Sequence, residues 1–110
     1  MNQSPIFSKT YDLLLWLIPA TAKFPREQRF VLAQAIQQDA LNFQGLLMEA
    51  VHSVQPKHKL NAADAELDKL RTRLRLARDL GLISINQYQH VAAILTEIGK
   101  LLGGWKKTAK

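Results

Sequence analysis

The 110-residue chain contains no cysteine, which excludes a disulfide framework, a thiol nucleophile and any thiolate metal site, and fits a reducing compartment. Long apolar runs are missing too. The longest, Leu13–Ala20, has eight residues even with Pro19 counted, against the ~20 that a bilayer span needs. The opening Met1-Asn-Gln-Ser-Pro has no basic region ahead of an apolar stretch, so no signal peptide is expected. The five glycines, Gly45, Gly81, Gly99, Gly103 and Gly104, form no phosphate-cradling loop. These absences leave a soluble, cytoplasmic protein of one small domain, spanning residues 1–110, as the expectation.

Charge is distributed unevenly. Fifteen Lys and Arg face nine Asp and Glu, for a net charge of +6. Residues 1–56 carry four of each sign, whereas residues 57–110 carry eleven basic and five acidic side chains. The entire excess therefore lies in the second half, as expected of a surface that meets a polyanion.

Apolar residues recur at helical intervals in four stretches, and nowhere with the alternation of a strand. Helices are expected at about 4–23, 25–54, 60–80 and 85–106. In the first, Ser4 is the expected N-cap and Pro5 the first helical residue. Phe7, Tyr11, Leu14 and Ile18 repeat there at intervals of four and three. The segment Leu13–Ile18, with Trp16, is apolar all round, so a second protomer or a partner is expected to cover it. Pro19 is expected to kink this helix.

The later stripes are Ile36, Ala40, Phe43, Leu47, Ala50 and Val54, then Leu60, Ala63, Leu67, Leu70, Leu74 and Ala77, then Tyr88, Val91, Leu95, Ile98, Leu102 and Trp105. Gly81 reads as a helix stop, and Ser84 with Gln87 as a capping box. Spacing that averages 3.5, with short connections, predicts an all-α, antiparallel up-down-up-down four-helix bundle.

No constellation of catalytic groups emerges, so no enzymatic activity, cofactor or metal is expected. Glu49 and His52 form one Glu-x-x-His pair, but a di-iron bundle needs two such pairs and further inward glutamates. His52, His58 and His90 share no ligand spacing. The basic residues carry more information. Arg71, Arg75 and Arg78 form one stripe on the third helix, opposite its leucines, and bundle topology brings Lys23, Arg26 and Arg29 to its C-terminal end. Arginine forks match phosphate geometry, so this surface is expected to bind nucleic acid through its backbone. Aromatics fall mostly on the core stripes, which gives base readout no support. Lys57, His58, Lys59, Lys106, Lys107 and Lys110 gather at the opposite pole. Gly99 and Gly103, one helical turn apart, permit close approach and join Leu13, Trp16 and Leu17 as expected oligomer or partner contacts.

Two passages carry a resemblance. They are Tyr11-Asp-Leu-Leu-Leu-Trp16-Leu-Ile-Pro19 followed by Lys23-Phe-Pro-Arg26-Glu-Gln-Arg29-Phe30, and Glu97-Ile-Gly99-Lys100-Leu-Leu-Gly103-Gly-Trp105. Together with Leu67-Asp-Lys-Leu70-Arg71 and Leu74-Arg75-Leu-Ala-Arg78, the chain resembles the accessory variability determinant (Avd) family of diversity-generating retroelements along nearly its whole length. The resemblance implies a homopentameric barrel of four-helix protomers. It also implies a non-catalytic partner of a reverse transcriptase that binds nucleic acid, template RNA first and DNA as a further ligand, during mutagenic cDNA synthesis. The matching basic positions are Arg26, Arg29, Arg71, Arg75, Arg78 and Lys100. Ribosomal-RNA intervening-sequence proteins look similar at bundle level, and a nucleic-acid-binding or structural bundle of that type, without a transcriptase partner, is the alternative. Their Asn-Ile-Ala-Glu-Gly-like signature is absent where this chain reads Leu46-Leu-Met-Glu49-Ala. A small helical enzyme using buried arginines against an anionic metabolite ranks third.

Overall fold

The computed structural model describes residues 5–110 as four helices, with no strand among the described residues. Helix α1 is Pro5–Ala22. Helix α2 is one continuous rod of three segments: Arg26–Gln28, a π-helical turn at Arg29–Ala33, and Gln34–Val51. Helices α3 and α4 are Lys57–Asp79 and Ile85–Thr108. Ser4, the expected N-cap, lies outside the described residues.

Each helix packs on its chain neighbours, and α1 closes the ring on α4. The cross-contacts establish the antiparallel order. Lys9 meets Glu97 and Trp16 meets His90 across α1 and α4; Glu49 meets Lys59 and Asp39 meets Arg73 across α2 and α3. Lys106 meets Asp64, and Arg78 covers Tyr88, across α3 and α4. The bundle measures 43 × 24 × 20 Å.

All six residues of the α3 stripe are buried, as are Ile36, Ala40, Phe43, Leu47 and Ala50 on α2, and Val91, Leu95, Ile98 and Leu102 on α4. Tyr88 and Trp105 are half-buried against that core. Gly81 ends α3 at φ +75°, where its N–H bonds Arg78 O and Leu82 N–H bonds Ala77 O, the paired closure of a helix end that favours glycine. Ser84 Oγ accepts from Gln87 N, and Gln87 Oε1 accepts from Ser84 N, so α4 starts on the expected capping box.

Three expectations need correction. First, the buried side of α1 is Ile6, Thr10, Leu13, Leu14, Leu17 and Thr21, not the Phe7–Tyr11–Leu14–Ile18 stripe. Two inward threonines disguise the true stripe. Each satisfies its hydroxyl by donating to the carbonyl four residues back, Thr10 to Ile6 at 2.7 Å and Thr21 to Leu17 at 2.8 Å. Gln37 of α2 then donates to Thr21 Oγ1.

Second, α2 stops at Val51 and leaves Val54 outside the helix and 93% exposed. Third, α3 begins at Lys57 rather than Leu60, because its first turn is polar and carries no apolar signal. Lys57 N–H, one of the helix-start donors with no intrahelical partner, bonds the Lys110 carbonyl. The π turn of α2 has no counterpart in the sequence reading, and α1 runs on through Pro19 to Ala22.

Candidate nucleic-acid interface

The buried stripe of α3 turns its remaining residues toward α2, toward α4 or outward. Arg73 takes the α2 side, where it pairs with the buried carboxylate of Asp39. Arg71 and Arg78 take the α4 side. Arg71 donates to Asp68 at 2.9 Å and its guanidinium also crosses Gly99: a Cβ built there would lie 2.5 Å from Arg71 Nη2. Glycine at 99 thus leaves room for an arginine of the same chain. Arg78 holds Asp79 through two N–H groups and sits 4.5 Å from the Tyr88 ring centroid.

Two hollows follow one another along this α3–α4 face. Arg71, Leu74, Tyr88, Ala92, Leu95 and Thr96 line the first, of about 180 Å³. Lys57, Asp64, Gly99, Gly103, Lys106 and Lys107 line the second, of about 330 Å³. Lys106 is tied to Asp64 at 2.8 Å. Lys57 and Lys107 make no ion pair among the described residues, and neither do Arg75 or Lys100, both exposed. At 1.5 Å per residue, Lys57 to Arg78 spans about 30 Å. The face is therefore a row of cations, several of them without an internal counter-charge.

The sequence-predicted basic residues fall into two groups. Arg71 and Arg78 lie at the seam between α3 and α4, and Arg75 and Lys100 are exposed on those two helices. Lys23, Arg26 and Arg29 are exposed at the end of the bundle where α1 passes into α2, which the antiparallel order shares with the C-terminus of α3. None of these three makes an ion pair among the described residues. Lys57, Lys106 and Lys107, placed at the opposite pole by the sequence, line the same groove as Gly99 and Gly103. The grouping of these lysines was legible from the antiparallel order, and the structure adds that they share a groove with Gly99 and Gly103.

The expected contact residues need the second set of corrections. Leu13 and Leu17 are wholly buried inside the protomer, so they have no surface to give a partner. Trp16 is half-buried with its ring against His90. The side of α1 that faces outward is Tyr11, Leu15 and Ile18, with Leu15 59% exposed. Together with Leu14, Pro19 and Gln44 of α2, these residues line an apolar hollow of about 350 Å³. Leu41 and Met48 are exposed further along α2. Glu49 is engaged by Lys59 at 2.9 Å, and no cluster of three His, Cys, Asp or Glu stands ready for a metal among the described residues.

The fold and this surface define a basic four-helix bundle with one cationic and one apolar flank. The family model described as bAvd-like matches residues 5–109, and the chain belongs to that family. Among solved structures it is similar to a protein of unknown function from the S23 ribosomal protein family of Bacteroides thetaiotaomicron VPI-5482. The TM-score is 0.87 at 24% identity, covering 98% of this chain and 100% of that one. That likeness concerns the fold. Comparison with curated proteins found no match.

Proposed function

We propose that this protein is a non-catalytic accessory factor of the Avd type, which binds nucleic acid through phosphates and assists a retroelement reverse transcriptase. The observation that carries the reading is the row of cations along α3 and α4, several without an internal partner, in a chain of the bAvd-like family. Arg71, Arg75, Arg78 and Lys100, with Lys57 and Lys107, bind phosphates along the groove; Lys23, Arg26 and Arg29 extend the field at the pole. Arginine forks and lysine point charges serve this role without base specificity. The apolar flank of Tyr11, Leu15, Ile18, Leu41 and Met48 is the surface on which further copies assemble, into the pentamer that the resemblance implies. A ring repeats the cationic row, and linked weak contacts raise avidity.

The test is fluorescence anisotropy with several unrelated RNAs over a salt series. Affinity should be similar for all of them and fall linearly with log salt, at ~0.7–0.9 log unit per phosphate contact. Salt-independent binding, or none, sinks the reading. Co-expression with a reverse transcriptase from the same genetic neighbourhood, followed by pull-down and mass measurement, tests the second half of the proposal. The fold likeness to an S23 ribosomal family member favours one other reading, a nucleic-acid-binding bundle with no transcriptase partner. Retained RNA binding with no pull-down would select it.

A further inference from the structure

Four phenylalanines occur in the chain, and three have a place in the packing. Phe24 and Phe43 are buried, and Phe7 packs against Trp105 with ring centroids 6.0 Å apart. Phe30 is 78% exposed. The cause is local: it lies in the π turn Arg29–Ala33, where an extra residue per turn brings Leu32 and Ala33 into the core and turns Phe30 and Val31 out to solvent. Such single π turns are frequent at functional sites.

The charged groups around the ring are three cations, Lys23, Arg26 and Arg29, and one exposed carboxylate, Glu27, so the balance is positive. Arg26, one turn earlier, lines a shallow cavity of about 440 Å³ together with Glu27 and Phe30. Arg29 adjoins it in sequence, and Lys23 lies just ahead of α2. All three cations are exposed and without an ion pair among the described residues. An exposed π face amid uncommitted cations complements one class of ligand above others: an unpaired nucleobase with phosphates on either side of it. Every base has a face to stack, and the flanking phosphates meet the arginines. A base pair inside a duplex is already stacked above and below and has no free face to offer. For further copies of this chain, the apolar α1–α2 flank offers the uncharged surface.

We infer that Phe30, with Arg26 and Arg29, forms a stacking platform for an unpaired base, giving the protein a preference for single-stranded over duplex nucleic acid. This rests on the nucleic-acid reading above but uses a different part of the surface. The experiment compares a single-stranded pyrimidine RNA with a blunt RNA duplex of equal length, by anisotropy, on wild-type protein and on Phe30→Ala, Phe30→Leu and Phe30→Trp.

Phe30→Ala and Phe30→Leu should weaken single-strand binding by roughly 5- to 100-fold and leave duplex binding within about twofold, while Phe30→Trp retains it. Circular dichroism should be unchanged, since the ring contributes little to the core. Equal losses on both RNAs, or no loss on either, overturn the platform. A fall in assembly mass for Phe30→Ala by light scattering would assign Phe30 to a copy-to-copy contact and also overturn it. Failure of the underlying reading looks different: wild-type protein would then bind neither RNA in a salt-dependent way.

Discussion

The two flanks of the bundle hold hollows of nearly equal volume, about 350 Å³ between α1 and α2 and about 330 Å³ between α3 and α4, with opposite chemistry. Charge on α1 and on Gln34–Val51 is limited to Lys9, Asp12, Asp39 and Glu49. Three of these are turned to the other helices, where they pair with Glu97, Arg73 and Lys59. Asp12 alone among them makes no ion pair among the described residues. The α3–α4 flank instead presents Arg71, Arg75, Arg78, Lys57, Lys100 and Lys107, balanced in part by Asp68 and Asp79. Both flanks stand on one core of the same composition. The difference lies at outward positions that the core does not constrain, and such positions are free to record what the protein touches.

The largest expected effect comes from removing what the flanks share. Phe43→Ala empties the largest fully buried side chain and should cost about 3–5 kcal/mol, a large part of the stability of a domain this size. Both RNA binding and assembly should fail together, with a denaturant midpoint shifted far down. Retention of either at full strength would show that its flank does not depend on the common core.

Separating the flanks comes next. Arg71→Glu with Arg75→Glu should weaken RNA binding roughly 30-fold or more at low salt. It should also lower the log–log salt slope by about two contacts' worth, with no change in assembly mass. The two side chains are surface groups, and the Asp68 partner of Arg71 is itself exposed, so the fold should survive. An unchanged slope removes this row from the interface.

The converse variant, Leu15→Asp with Met48→Lys, should convert the assembly to the 12.4 kDa protomer in multi-angle light scattering. Burial of such side chains contributes ~1.5–3 kcal/mol each. RNA affinity should then fall only through lost avidity, with the salt slope per protomer intact. A wild-type protomer at micromolar concentration, or an unchanged assembly in the variant, counts against the apolar flank as the contact.

How much of this was legible in the sequence differs by element. On α3 the six core residues are the leucines and alanines that the spacing picks out, and apart from Leu76 and Ala65 the exposed positions are polar, so periodicity alone orients the helix. On α1 the same method fails by one residue. Threonine is a core residue at positions 10 and 21 only because it returns its hydroxyl to its own helix, a property absent from any hydropathy pattern. The error rotated Leu13 and Leu17 onto the surface and hid Leu15.

The charge asymmetry was legible in full, but its division into paired and unpaired cations was not, because Asp64 meets Lys106 and Asp39 meets Arg73 across 42 and 34 residues. The π turn was illegible for a related reason. Nothing local in Arg29-Phe-Val-Leu-Ala33 demands it; it reconciles the start fixed at Pro25 with the register that Ile36, Ala40 and Phe43 require for the core.

The smallest effect is also the sharpest control on the comparison. Ser84→Ala deletes the hydroxyl that accepts from Gln87 N–H, and breaks one half of the reciprocal pair that starts α4. Loss of such a cap costs about 1 kcal/mol, which for a domain of this size lowers Tm by about 4–8 °C. Ser84 is exposed and uncharged and belongs to neither hollow. Below the transition, RNA affinity, its salt slope and the assembly mass should therefore all match wild type. Differential scanning calorimetry paired with anisotropy at 25 °C reads both sides of the statement. A variant that loses stability and RNA affinity together would mean that a frayed start of α4 carries Tyr88 and Arg78 with it. The α3–α4 flank would then be a structure that the cap holds in place, rather than a row of charges displayed on an independent scaffold.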